Sequence, residues 1–315
     1  MPSTLDEQLT KYLTDVHSIE EQALQQMRTA PKIAGDPELA RAFSEHLTET
    51  EDQERRVRER LEARGADPSK TKDLVARAGG IGMLLFARSQ PDTPGKLTAH
   101  AFSYEHMEMA AYDLLASVAD RAGDRETADM ARSIREQESA MAARLAANFD
   151  RAVDASPDGD LTSYLADAHA IEGQAIELLE KGQGIAGHSE LAHVFANHLD
   201  ETRSHQSIMQ ARLEEHDSSP SRLKEAALRV GGLNMGAFFG LQPDTPAKLA
   251  GFAFAFEHLE IASYELLRRV AERAGDAETA RVAERIIGDE RAAAAAVRGQ
   301  FDSAMDATLA VQGVA

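Results

Sequence analysis

One unit written twice constrains this chain more than any other feature. "FSEHLTET", starting at Phe43, returns as "FANHLDET", starting at Phe195. "LTKYLTDVHSIEEQAL" from Leu9 matches "LTSYLADAHAIEGQAI" from Leu161, and "QPDTPGKL" from Gln90 matches "QPDTPAKL" from Gln242. "YEHMEMAAY" from Tyr104 matches "FEHLEIASY" from Phe256, and "RAGDRETA" from Arg121 matches "RAGDAETA" from Arg273. Every pair is 152 residues apart, with no insertion or deletion between the copies. A period this long marks a duplicated domain, not a solenoid repeat. "DASPDGD" (154–160) puts Pro, Gly and Asp between helical patterns and reads as a linker. The expected domains are therefore 1–153 and 161–315, and 315 residues suffice for a core in each.

Within each copy the pattern is helical. Charged residues are 28% and aromatics 5%, with Ala, Glu, Arg and Leu abundant, a mix that favours helices over strands. Helix A is expected from about Thr4 to Ala30. Helix B starts at an Asp36 cap with Pro37 in first position and ends near Gly65. Helix C starts at Thr93 and Pro94 and ends near Gly123; helix D runs from Asp124 to about Asp150. The segment from Lys70 to Arg88 is broken by Gly79, Gly80 and Gly82, and its length allows the B–C connection to cross the bundle. The predicted fold class is all-α, with four helices per copy and a long crossover between the second and third.

Composition also excludes functions. A net charge of -19 argues against a nucleic-acid partner. The chain has no cysteine, which removes disulfides, thiolate metal sites and cysteine nucleophiles. "MPSTLDEQL" lacks the basic and apolar regions of a signal peptide, and "GGIGMLLFA" from Gly79 is too short to span a bilayer. A cytoplasmic protein with no membrane partner is the expectation.

The apolar stripe of every helix, followed in steps of three and four, is interrupted near its middle by an acid. Helix A runs Leu9, Leu13, Val16, then Glu20, then Ala23 and Met27. Helix B meets His46, Glu49 and Gln53; helix C meets Glu105 and Glu108; helix D meets Glu138. The second copy repeats the interruption at Glu172, His198, Glu201, Glu257, Glu260 and Glu290. Neighbouring acids drift: Glu45 becomes Asn197, Glu51 becomes Arg203 and Glu21 becomes Gly173. The stripe glutamates are thus not a by-product of acidic composition.

A buried, unpaired carboxylate costs several kcal/mol even after relaxation, against a domain stability of only about 5–15 kcal/mol. Such clusters are compatible with protonated carboxyls, with ordered water, or with cations between them. Carboxylate oxygens with imidazole suit Fe or Mn, and also Zn. Residues three apart on a helix share a face, so His46 and Glu49 are expected to reach one centre. His205 replaces Gln53 in the second copy and adds a candidate nitrogen ligand there.

"ADAHAIEGQAI", "FSEHLTETEDQ" and "EHLEIASYELL" resemble the ferritin-like superfamily, specifically its YciE/YciF-like stress-protein branch. The resemblance covers nearly all of both copies. It implies two ferritin-like four-helix bundles, a dinuclear iron-type or manganese-type site in each, and a link to stress response. It points to Glu20, His46, Glu49, Glu105, Glu108 and Glu138, and to their partners in the second copy. It leaves open a metal-dependent oxidoreductase or ferroxidase-like activity, with a non-catalytic structural protein as the alternative. Two departures stand out. Helix B reads H-x-x-E where di-iron bundles use E-x-x-H, and Met141 and Ala293 occupy the positions of a second histidine. His17 and His169 are candidates to stand in for it or to lie beside the site; His106 and His258 suit an interface or outer-shell role. The halves are expected to pair within the chain, with further homo-oligomerisation open.

Overall fold

The computed structural model describes residues 4–66, 93–156, 160–187, 189–219 and 245–314. Among them the chain is all-α. The first half contains α1 (Leu5–Met27), α2 (Ala30–Ile33), α3 (Pro37–Ala63), α4 (Thr93–Arg121), α5 (Arg125–Ala146) and α6 (Phe149–Asp154). The second contains α7 (Leu161–Ala186), α8 (Glu190–Glu215), α9 (Thr245–Ala274), α10 (Ala277–Arg298) and α11 (Phe301–Val311).

The helix starts follow from capping chemistry. Thr4 and Glu7 form a reciprocal capping box on α1. Asp36 accepts from the Glu38 and Leu39 amides, with Pro37 where no amide is needed. The repeated "AGD-ETA" motif is also structural. Gly123 takes φ 73° in the turn after α4, and Asp124 caps α5 through the Thr127 amide at 3.0 Å. The same carboxylate receives Arg60 at 2.9 Å and Arg64 at 3.0 Å from the end of α3. In the second half Asp276 repeats this with Thr279 and Arg212.

These ties set the helix directions. Arg64 of α3 reaches Asp6 and Thr10 of α1, while His17 meets Glu54, so α1 and α3 are antiparallel. Arg60 with Asp124 and Arg144 with Glu45 make α3 and α5 antiparallel. It follows that α3 and α4 run parallel, and the ends joined by 67–92 lie at opposite ends of the half. The expected crossover, from Lys70 to Arg88, lies outside the described residues.

Helices A and D are each shorter than expected. Helix A stops at Met27 because Pro31, one residue into α2, lacks an amide donor and its ring blocks a continuous helix. The second copy has Gln183 at that position, and α7 runs unbroken to Ala186. Helix D stops at Ala146, where the Asn148 side chain donates to the Arg144 carbonyl at 2.7 Å, and α6 follows. Of the expected linker, 157–159 lie outside the described residues; α6 ends at Asp154 and Asp160 caps α7.

Contacts between the halves run along α4 and α9. Ser103 donates to the Ala255 carbonyl at 2.8 Å, and the His106 and His258 rings stack with centroids 3.5 Å apart. Burial pushes both imidazoles down, His106 to about 3 and His258 to about 4, so both are uncharged where they stack. Lys96 of α4 pairs with Asp167 of α7 at 2.8 Å, a second tie between the halves. Among the described residues no helix is long and apolar enough to cross a membrane.

Candidate metal centre

In the first half, four long helices bring their polar interruptions to one depth. Glu20 from α1, His46 from α3, Glu105 and Glu108 from α4, and Glu138 from α5 are all buried to 1% exposure or less. Leu13, Leu115, Ile134 and Leu145, fully buried, are among the apolar side chains of the core around them. Low-dielectric packing is why unpartnered charge at this depth is costly.

One ligand atom from each of His46, Glu105, Glu108 and Glu138 lies within 4.8 Å of the others. The His46 Nδ1 donates to Glu49 Oε2 at 2.9 Å, since a carboxylate only accepts. In the neutral ring the lone pair then sits on Nε2. That atom lies 3.2 Å from Glu105 Oε2 and 3.4 Å from Glu138 Oε2. Neither oxygen is aligned to accept a hydrogen bond, and both oxygens of Glu105, Glu108 and Glu138 lack any hydrogen-bond partner. With the ring neutral, lone pairs therefore converge on a common space without a donor between them; a proton on Nε2 would place one there. Such an arrangement is stable when a proton or a cation fills the space. Carboxylate and imidazole donors, with a carboxylate behind the ring, fit a divalent transition metal.

Glu49 departs from its expected position. Its side chain is 51% exposed, and Thr50, one residue on, takes the buried position and donates to the His46 carbonyl at 2.9 Å. The core stripe of α3 passes through His46, Thr50 and Gln53, a step of four and then three, so the i+3 position points aside. Glu49 orients the ring from outside; Glu201 does the same for His198 at 3.0 Å with 60% exposure.

Glu20 reaches the site from α1 with one oxygen occupied by the Tyr112 hydroxyl. Its other oxygen is buried without a partner. Burial drives the Glu20 carboxyl up from 4.5 to about 8, against the Tyr112 hydrogen bond. Burial likewise raises Glu108 and Glu138 well above the ordinary carboxylate range, with neighbouring carboxylates adding to it. Burial disfavours a charged His46, yet the surrounding carboxylates outweigh it and hold the ring well above its ordinary value. Without metal, the site keeps protons.

The second half repeats the plan. His198 Nε2 stands 3.1 Å from Glu257 Oε2 and 3.0 Å from Glu290 Oε2, again without an aligned hydrogen bond. The two carboxylates push His198 to about 12 despite its burial. Both Glu260 oxygens are orphaned, and the Tyr264 hydroxyl donates to Glu172. Burial raises Glu172 and Glu260 well above the usual range and Glu257 to about 7. Glu290 goes the other way: burial opposes ionisation, but His198 and His205 overcome it and hold the carboxyl at about 2.

His205 makes a second ligand group here, with Glu172 and Glu290. Its counterpart Gln53 donates to Gln137 at 3.3 Å. Asp289, at the Gln137 position, faces His205 Nε2 at 3.3 Å. Sequence reasoning singled out His205 but missed Asp289. The available signal was the joint exchange of Gln53 and Gln137 for His205 and Asp289.

The remaining histidine candidates lie to the side. His17 is buried, with Nε2 3.0 Å from Glu54 Oε1, and joins a peripheral group with Glu21 and Glu54. At the matching place around His169 the second copy has Gly173 and Gln206.

Two stretches of the chain, residues 4–157 and 159–310, match the model of a family described as a domain of unknown function, DUF892. Protein YciF of Escherichia coli (strain K12) is 27% identical over 141 residues, which span 44% of this chain and 85% of that protein. No solved structure matches.

Proposed function

The chain belongs to the DUF892 family, carrying its domain twice, and we propose that each copy is a metal-binding, ferritin-like four-helix bundle. The domains are 1–153 and 161–315, joined by 154–160, and the two bundles pair through α4 and α9 as a pseudo-symmetric dimer within one chain. One observation carries the metal reading: ligand atoms of a histidine and three glutamates converge in both halves, buried and with glutamate oxygens left without hydrogen-bond partners. Glu20, His46, Glu105, Glu108 and Glu138 are the ligands in the first half. Glu172, His198, Glu257, Glu260 and Glu290 are those in the second. Glu49 and Glu201 fix the ring nitrogen that faces the metal.

Iron or manganese suits a site dominated by carboxylate oxygens, with zinc as the alternative. Bound there, such a metal supplies Lewis-acid and one-electron redox chemistry. The protein's part is to exclude water and to hold the donors. Tyr112 and Tyr264 keep one oxygen of Glu20 and Glu172 occupied and aim the other inward. The function we infer is the handling of iron, oxygen or peroxide under stress, as a metal-dependent oxidoreductase. The alternative is a structural role in which the metal staples the four helices. Elemental analysis of protein purified without chelator tests the metal site: transition metal at one or more ions per chain is the expected result, and metal-free protein after reconstitution with ferrous or manganous ion refutes it. Oxygen or peroxide consumption by the iron-loaded chain then separates the oxidoreductase from the staple.

A further inference from the structure

We propose that the C-terminal half holds two cations where the N-terminal half holds one, with His205 and Asp289 building the additional position. The inference rests on the metal reading above and concerns what that reading leaves equal between the halves.

The ligand groups differ in number. In the first half the described residues of the central cluster form a single group, His46 with Glu105, Glu108 and Glu138. In the second half two groups overlap: His198 with Glu257, Glu260 and Glu290, and His205 with Glu172 and Glu290. Glu290 belongs to both, and it offers a different oxygen to each ring. Its Oε2 lies 3.0 Å from His198 Nε2 and its Oε1 lies 2.9 Å from His205 Nδ1. A carboxylate with one oxygen toward each of two donor sets has the form of a bridge between two ions.

His205 is arranged as a ligand. Its side chain is 4% exposed, and the Asp289 carboxylate, which can only accept, fixes the proton on Nε2 at 3.3 Å. In the neutral ring that can take a metal, the lone pair is left on Nδ1, which is buried and lies 2.9 Å from Glu290 Oε1 and 3.7 Å from Glu172 Oε1. A carboxylate behind a ring orients it and strengthens the facing nitrogen as a donor. At the same depth the first half offers the neutral amide of Gln53, held by Gln137. An amide oxygen is a weaker donor to a divalent transition ion than an imidazole with a carboxylate behind it. The exchange of both members of the pair is what a change of ligand requires, since a lone Gln53→His would lack its orienting group.

The new position also has an approach. A surface cleft of about 470 Å³ lies between α8 and α10, and His205 lines it together with Asp200, Glu201, Asp289 and Arg285. Three carboxylates against one guanidinium give the mouth a net negative charge, which concentrates cations. Asp289 is 44% exposed while His205 is nearly closed off, so the pair spans the passage from solvent to the buried cluster.

The test is a manganous-ion titration of the chelator-stripped full chain, read by equilibrium dialysis with elemental analysis and by electron paramagnetic resonance. The wild type is expected to bind three ions, two of them giving the multiline signal of a coupled pair. His205→Gln should bind two and lose that signal. Asp289→Asn should keep the third ion but weaken it about 10–100-fold. As a gain-of-site control, Gln53→His with Gln137→Asp should bind four and double the coupled signal, so the inference survives a misfolded His205 variant. Equal stoichiometry in wild type and His205→Gln, with no gain in the double variant, overturns the inference while leaving the metal sites in place. No manganese bound by any variant overturns the metal reading itself.

Discussion

The two halves share a backbone plan and most of a cluster, but not its rim. Glu20, His46, Glu105, Glu108, Glu138 and Tyr112 have identical partners in Glu172, His198, Glu257, Glu260, Glu290 and Tyr264. Around that shared centre the copies diverge: Gln53 and Gln137 against His205 and Asp289, Glu21 and Glu54 against Gly173 and Gln206. The difference separates two kinds of constraint. Buried acids without partners would be eliminated by their desolvation cost unless something fills the space among them. Both copies keep them, so the filling is common to both. On the proposed metal reading, rim residues would set how many ions are held and how tightly, and there the copies are free to specialise.

The sharpest way to break the comparison is to remove matched carboxylates. Glu290→Gln should empty two positions and Glu138→Gln only one. With free metal at about 100 times Kd, each lost position lowers stability by about 2.7 kcal/mol. Thermal melts in manganous buffer should therefore show the larger drop for Glu290→Gln; equal drops would mean the halves hold the same number of ions.

A second contrast lies in the backbone. Pro31 breaks the first helix, while Gln183 leaves α7 continuous. Gln183→Pro should destabilise the C-terminal half by about 3 kcal/mol, by removing a helical hydrogen bond and clashing with the Leu179 carbonyl. Pro31→Gln should change stability far less, because the local chain already satisfies its break. Denaturant melts of both variants read this directly, and equal effects would show that the interruption is not set by Pro31.

Where the copies agree, their mutants should agree. Tyr112→Phe and Tyr264→Phe each remove the hydroxyl that donates to a buried glutamate. Each should cost about 1–3 kcal/mol in the metal-free protein, the range for stranding a buried acceptor. A cost confined to one half would show that the two centres differ in more than their rims.

The smallest expected effect is a pH slope in chelated protein. Glu20 moves from 4.5 to about 8 and Glu257 to about 7 on folding. A carboxyl raised in the folded state contributes stability below its unfolded value and loses it as pH rises through the folded one. The raised His46 and His198 act in the same direction. Glu290, lowered to about 2, has the opposite sign, but its window lies between that value and 4.5. Chelated protein should thus melt at a lower temperature at pH 8 than at pH 6, and saturating metal should flatten the slope. A rising melting temperature over that interval would contradict the protonated-cluster account.

Much of this was legible in the sequence, for particular reasons. Periodicity finds Glu20, Glu105, Glu108 and Glu138 because an acid in a stripe position has nowhere to go but inward. It misplaces Glu49, since i+3 and i+4 share a helix face while only one can enter the core; the competing Thr50 decided it. It misses Asp289, whose role depends on a contact between α8 and α10 that neither helix encodes alone. The breaks after Ala146 and Arg298 fall at the same place in both copies, and hydrophobic spacing does not register them.

The central claim is that cations fill the two buried clusters. Crystals grown with manganous ion, with diffraction data collected at the manganese absorption edge, test it most directly. The account predicts an anomalous peak enclosed by His46, Glu105, Glu108 and Glu138, and two peaks flanking Glu290 in the other half. Well-ordered clusters with no anomalous peak, the rings hydrogen-bonded straight to protonated carboxyls, would contradict it.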